Sequence, residues 1–179
     1  MRKLVLIGSG PFETGYVGRI QATRLSCLNE GERAEYESII NVLDDPGSEG
    51  KATAFAHLGA LASRTDEYDP MDRKPDETDV DGKQGNRFHA VLKEAQELRR
   101  TGKLLDFGTH IQCSVVAIHG DHDPHPAEGV RDPLSSVVKS FRSTLLENCG
   151  HKPWIERQAK EEFYSTLKAE LKRQVGPSN

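Results

Sequence analysis

Three short runs of the chain, two of them continuously apolar, give way at once to loops rich in glycine, aspartate or proline. Leu4-Val5-Leu6-Ile7 stops at Gly8-Ser9-Gly10-Pro11, Val115-Val116-Ala117-Ile118 stops at His119-Gly120, and Phe141 to Leu146 stops at Glu147-Asn148-Cys149-Gly150. The first two, without alternation, suit strands buried on both faces, and with the third, closed by the same kind of loop, the pattern predicts three strands. Elsewhere apolar residues recur at helical intervals. Asn29 with Glu32 is an N-cap with a reaching glutamate, opening a helix that carries Tyr36, Ile39, Ile40 and Leu43 and ends at Asp44-Asp45-Pro46. A second helix is predicted from about Gly50 to Arg64, with Phe55, Leu58 and Leu61 on one face, before Tyr68-Asp69-Pro70 stops it. Phe88, Val91, Leu92, Ala95 and Leu98 mark a third, closed by Thr101-Gly102. Ile155, Ala159, Phe163, Leu167 and Leu171 mark a last one over Trp154 to Arg173. Residues 71–85 are polar and aperiodic and are predicted to be a loop, and 176–179 a frayed tail.

Strands joined by helical connections imply an α/β fold with a parallel sheet, in which the functional loops gather at the carboxyl ends of the strands. The hundred or so polar, helical residues between the first and second strands are too many for a crossover and predict an insertion. Composition narrows the functions. In 179 residues, 24 basic and 28 acidic side chains are well mixed and leave a net charge of −4, so no basic stripe awaits a nucleic acid. Cys27, Cys113 and Cys149 are too scattered for a disulfide framework or a paired metal motif, which fits a reducing, cytoplasmic setting. The apolar run after Met1-Arg2-Lys3 is too short for a signal peptide, and no segment has the length of a membrane span.

Chemistry concentrates in two segments, each directly after a predicted strand: His119-Gly120-Asp121-His122-Asp123-Pro124-His125-Pro126, and Cys149-Gly150-His151-Lys152-Pro153-Trp154. An acid after one strand and a histidine after the next can meet in space. These segments, with Val5-Leu6-Ile7-Gly8-Ser9-Gly10-Pro11 and a helix entry around Thr23-Arg24-Leu25, resemble the α/β-hydrolase superfamily, specifically its capped, proline-iminopeptidase-like members. The resemblance implies a partial α/β-hydrolase fold of about three parallel strands. Residues 1–12 and 109–175 would form the C-terminal part of the core, and 13–108 a helical cap. It implies Asp123 as triad acid, with Asp121 in reserve, and His151 as base, serving a serine that attacks an ester or amide. The strand leading to that serine, the nucleophile elbow and an oxyanion donor would precede Met1, so the chain is expected to be a truncated, inactive portion. Its first strand would then present an open edge for self-association or a complementing chain. No cofactor is implied.

Other candidates fall away on context. Pro46-Gly47-Ser48-Glu49-Gly50 approaches G-x-S-x-G, but it follows a helix where a nucleophile elbow needs a strand. Cys149 is near His151 in sequence without the orienting geometry that a thiolate–imidazole pair needs. Gly8-x-Gly10 lacks the third glycine of a dinucleotide fingerprint, Glu13 standing in its place. His119, Asp121, His122, Asp123 and His125 invite a metal-dependent hydrolase as an alternative, although their spacing is not that of a helical His-x-x-x-His pair. A non-catalytic partner module is a second alternative. His57, His89 and His110 are assigned to surface or packing, and Phe12 and Trp154 are candidates to line a substrate pocket.

Overall fold

The computed structural model describes residues 3–45, 47–71 and 82–173, the side chains of 82–90 excepted. Strands β1 (Lys3–Ile7), β2 (Ser114–Gly120) and β3 (Phe141–Leu146) form one sheet in the order β1-β2-β3. Both pairings are parallel, with Ile7 opposite Ile118 and Gly120 opposite Leu146. The predicted strands therefore exist, and their carboxyl ends lie on one side of the molecule. The central strand is buried at every position, as its unalternating sequence requires.

Helices cover the two faces of the sheet. Val116, Ile118 and Leu146 pack with Cys149, Ala159 and Phe163 beneath α7 (Lys160–Lys172). On the opposite face Val115 and Ala117 pack with Val130, Leu134 and Val138. Those last residues come from α6 (Glu128–Val137) and its end, and α5 (Lys103–Thr109) adds Leu105. Alternate residues of β1 serve the two clusters, Leu4 and Leu6 on one side, Val5 and Ile7 on the other.

Between β1 and β2 run a 3-10 turn (Thr14–Tyr16) and α1 (Val17–Cys27), α2 (Glu30–Asp44), α3 (Lys51–Thr65) and α4 (Gly82–Arg100), followed by α5. The first three helices have a small core of their own around Leu28, Ile39, Ala54 and Leu61. The Asn29–Glu32 capping box is formed in both directions, each bond 3.0 Å. Three expectations need correction. Helix α4 begins at Gly82, so 82–85 are helical rather than loop; 72–81 lie outside the described residues, as do 176–179. The last helix begins at Lys160 rather than Trp154, because 151–159 are held in turns. Helix α1 is expected only as a helix entry around Thr23-Arg24-Leu25, whereas the helix starts at Val17 and those residues lie near its end. It buries no side chain completely, so the apolar rhythm that reveals α2 and α3 is missing from it.

No helix of the described residues is long and apolar enough to cross a membrane.

Candidate active site

Neighbouring parallel strands bring the loops after β2 and β3 together. Gly120 closes that junction: a Cβ there would stand 2.1 Å from the carbonyl oxygen of Cys149 and 2.5 Å from that of Gly150. Only glycine lets the backbones come so near. Ladder-like bonds continue past the strand ends, from the amide of Asp121 to the carbonyl of Leu146 at 3.0 Å and from that of His122 to Cys149 at 2.9 Å. Asp121, the reserve acid, is used here as a brace. Its Oδ1 accepts from the Cys149 amide at 3.0 Å and meets His122 Nδ1 at 2.7 Å. Partial burial works against its charge, but these bonds outweigh that, and its pKa lies below the ordinary carboxylate value.

Asp123 faces the other way. Its side chain is fully enclosed, and Oδ2 lies 2.9 Å from Nδ1 of His151, the two being 28 positions apart in sequence. His119 Nε2 lies 3.2 Å from the same oxygen and also donates to the His125 carbonyl at 2.8 Å. Oδ1 accepts from the backbone N–H of His125 at 2.9 Å and meets its Nδ1 at 2.8 Å. Burial alone would raise the Asp123 pKa; the bonds from His119, His125 and His151 more than reverse this and hold it far below the ordinary value. The bond to Asp123 raises the His151 pKa in turn, against the effect of burial.

His151 is fixed from two further sides. Its amide donates to the Asp66 carbonyl at 2.7 Å, just past the end of α3, and the Asp66 carboxylate receives Arg24 of α1 at 2.7 and 2.6 Å. On the other side stands Gly8, at φ +55°, whose amide donates to the Ile118 carbonyl at 3.1 Å. A Cβ at Gly8 would meet the His151 carbonyl oxygen at 2.7 Å and Nδ1 at 3.0 Å. The glycine after β1 thus makes room for an imidazole, not for a phosphate. Gly8→Ala is expected to displace His151 and weaken its bond to Asp123, seen as loss or upfield movement of the bonded Nδ1 proton in the NMR spectrum. A resonance unchanged from wild type would show that this contact does not hold the ring.

The remaining candidates can be placed. Ser48 lies in the loop between α2 and α3 and its hydroxyl donates to the Glu49 carbonyl, with no strand before it. Cys149 is completely buried, and burial together with the carboxylates of Glu156 and Asp121 pushes its thiol up to about 12, so it is not a ready nucleophile. Phe12 packs with the cluster around Val130 and Leu134, while Trp154 is 41% exposed with its ring against Phe163. Neither lines the cavity of about 340 Å³ that opens beside Asp123, between Arg19, Thr23 and Cys27 of α1 and Asp121, His122 and Glu128. Asp123, His125 and His151 bring their oxygen and nitrogen atoms within 4.8 Å of one another, as a metal site would. Both Nδ1 atoms, however, meet carboxylate oxygens at 2.8 and 2.9 Å, the distances of N–H donors. The cluster is a hydrogen-bond network centred on one carboxylate. Reading the sequence alone missed His119 and His125 as members of it; the Asp-x-His spacing of Asp123 and His125 was the available signal.

The sequence matches no family model and no curated protein sequence. The fold matches solved structures. VinJ superposes with a TM-score of 0.57 at 14% identity, over 97% of this chain and 58% of VinJ. The proline iminopeptidase of Mycobacterium smegmatis gives 0.50 at 16% identity, over 94% of this chain and 56% of that enzyme. The chain has a partial α/β-hydrolase fold, spanning less than two thirds of the length of these structures.

Proposed function

We propose that the chain is the C-terminal portion of a serine hydrolase of the α/β-hydrolase type, contributing the acid Asp123 and the base His151. The observation that carries this reading is the 2.9 Å contact between His151 Nδ1 and Asp123 Oδ2, made across two loops that consecutive parallel strands bring together. With its Nδ1–H on the carboxylate, the imidazole keeps the lone pair on Nε2. That nitrogen takes the proton of a serine as its oxygen attacks an ester or amide carbonyl, then gives the proton to the departing alcohol or amine. Water repeats the sequence on the acyl-enzyme, and Asp123 stabilises the imidazolium each time.

Among the described residues no hydroxyl or thiol is hydrogen-bonded to the His151 ring. The serine and the oxyanion donors come, in this reading, from a segment outside the 179 residues, whether preceding sequence or a complementing chain. Such a segment would pair with β1, whose partner in the described sheet lies on one side only. Residues 13–108 would form the cap, and the cavity beside Asp123 would admit a small substrate. The polypeptide by itself should therefore not hydrolyse esters. Fusing the N-terminal half of an active relative ahead of Met1 should produce turnover of activated esters, and His151→Ala should then lower it by about three orders of magnitude or more. Equal turnover in that variant would remove His151 from the mechanism.

A further inference from the structure

His125 is not needed as acid or base, yet it holds the same carboxylate as His151 from the opposite oxygen. Backbone N–H and Nδ1 both converge on Oδ1, at 2.9 and 2.8 Å, while His151 Nδ1 takes Oδ2 at 2.9 Å. The two rings lean together, centroids 4.7 Å apart at 36°, and Gly10 lies beside His125, where a Cβ would meet Cδ2 at 4.0 Å. With 17% of its side chain exposed, His125 is a packed member of the site and not a solvated loop residue.

We propose that His125 is a positioning residue for the acid: it holds Oδ1 of Asp123 and so draws part of the carboxylate's negative charge away from Oδ2, the oxygen that faces His151 and, at longer range, His119. The proposal rests on the reading of His151 as a base, and it gives that base a property it needs. A carboxylate committed wholly to His151 would keep a proton on it, whereas a base must be unprotonated at the working pH to accept one. A hydrogen bond at one oxygen lowers the pull of the other, since the two share one charge. The other charged groups facing His151 leave this effect decisive. Asp66, at the end of α3, and Arg24, on α1, pair with each other at 2.7 and 2.6 Å and largely cancel. Asp121 on the β2 loop is turned toward Cys149 and His122. On the loop of His151 itself, Glu156 is directed at backbone amides, and Lys152 at Ser63 and Glu67. His119 makes the longer contact to Oδ2, 3.2 Å, its Nε2 being also engaged by the His125 carbonyl.

The experiment is an NMR titration of the His151 ring nitrogens in the 15N-labelled chain, which needs no catalytic activity. Three proteins are compared: wild type, His125→Leu and His125→Asn. Leucine fills the space without a donor. Asparagine places an amide N–H where Nδ1 was but cannot be protonated. In His125→Leu the His151 midpoint should rise by about one pH unit, a tenfold gain in proton affinity; in His125→Asn it should stay within a few tenths of wild type. An unchanged or lowered midpoint in the leucine variant overturns the proposal. So does an equal rise in both variants, which would assign the effect to charge on His125 rather than to its hydrogen bond. Should the leucine variant fail to fold, His125→Gln takes its place, its amide lying one bond too far to reach Oδ1, with the same rise expected. The catalytic reading fails separately, by unchanged turnover of the fused protein in His151→Ala.

Discussion

Glu156→Ala is expected to destabilise the protein by on the order of 3 kcal/mol or more, because the completely buried Glu156 carboxylate accepts three backbone N–H groups. Oε1 receives Tyr68 at 2.9 Å and Gly150 at 3.0 Å, and Oε2 receives Asp69 at 2.7 Å. Alanine would leave three donors without this acceptor, that of Gly150 buried and those of Tyr68 and Asp69 partly so, each costing about 1–3 kcal/mol with the upper end at Gly150. Against a typical domain stability of about 5–15 kcal/mol that is a large fraction, and for this chain length it corresponds to a drop of about 10 °C in the melting temperature. Glu156→Gln should fall between the two, since the amide oxygen can keep the pair at Oε1 while its NH2 opposes the Asp69 amide. Hydrogen exchange at Tyr68, Asp69 and Gly150 should accelerate before the rest of the chain. A loss under 1 kcal/mol in the alanine variant would mean that water or a shifted backbone satisfies these amides.

The consequence reaches the candidate site. Around Glu156 the segment 66–71 is stitched to 150–157 by the Met71 amide on the Ile155 carbonyl at 2.8 Å, the Arg157 amide on Asp69 at 2.9 Å and the His151 amide on Asp66 at 2.7 Å. The helical insertion and the histidine loop are therefore one structural unit. Loosening Glu156 should also loosen His151, although Glu156 does not touch the imidazole.

That junction shows why some of the molecule could be read from sequence and some could not. The strands announced themselves because both faces of a parallel sheet are covered, which forces unbroken apolar runs such as Val115 to Ile118. Asp123 and His151 were legible because each directly follows such a run and strand ends converge. Glu156 was not legible. It sits where the apolar rhythm of Ile155 and Ala159 suggested an ordinary helical position, and its partners are backbone amides that any sequence supplies. Most of helix α1 was illegible for a related reason: its apolar contribution is reduced to Leu25 beside the cap cluster, and its firmest contact is the polar pair of Arg24 with Asp66. His119 and His125 stood out only as candidate metal ligands, because the sequence shows a crowd of imidazoles and cannot show that they converge on one carboxylate.

Asp123→Asn is expected to leave the fold in place and to unfit His151 for its proposed role as base by reversing its tautomer. The ionised carboxylate accepts on both oxygens, whereas an asparagine amide accepts on one and donates on the other. The amide oxygen will stay at the position of Oδ1, where two N–H groups of His125 converge. The NH2 then faces His151, whose Nδ1 can meet it only as an acceptor, which moves the ring proton to Nε2, the nitrogen that in the proposed mechanism takes a proton from the serine. In the fused protein the rate should fall by about four orders of magnitude. The unfused chain offers an independent readout in pH. The stabilisation from ionised Asp123, whose pKa is lowered on folding, is complete above its unfolded value of about 3.9 and is lost as pH falls through the lower folded value. The stabilisation from protonated His151, whose pKa is raised on folding, is complete below its unfolded value of about 6.5 and is lost as pH rises through the higher folded value. The wild-type melting temperature should therefore decline as pH rises from about 6.5 through the folded His151 midpoint, and Asp123→Asn should flatten that decline because it removes the carboxylate causing the shift. Ring-nitrogen chemical shifts at pH 8 should report Nδ1–H in the wild type and Nε2–H in the variant. If both proteins show the same tautomer and the same slope of melting temperature against pH, the 2.9 Å contact between Asp123 and His151 is not what sets the state of the imidazole.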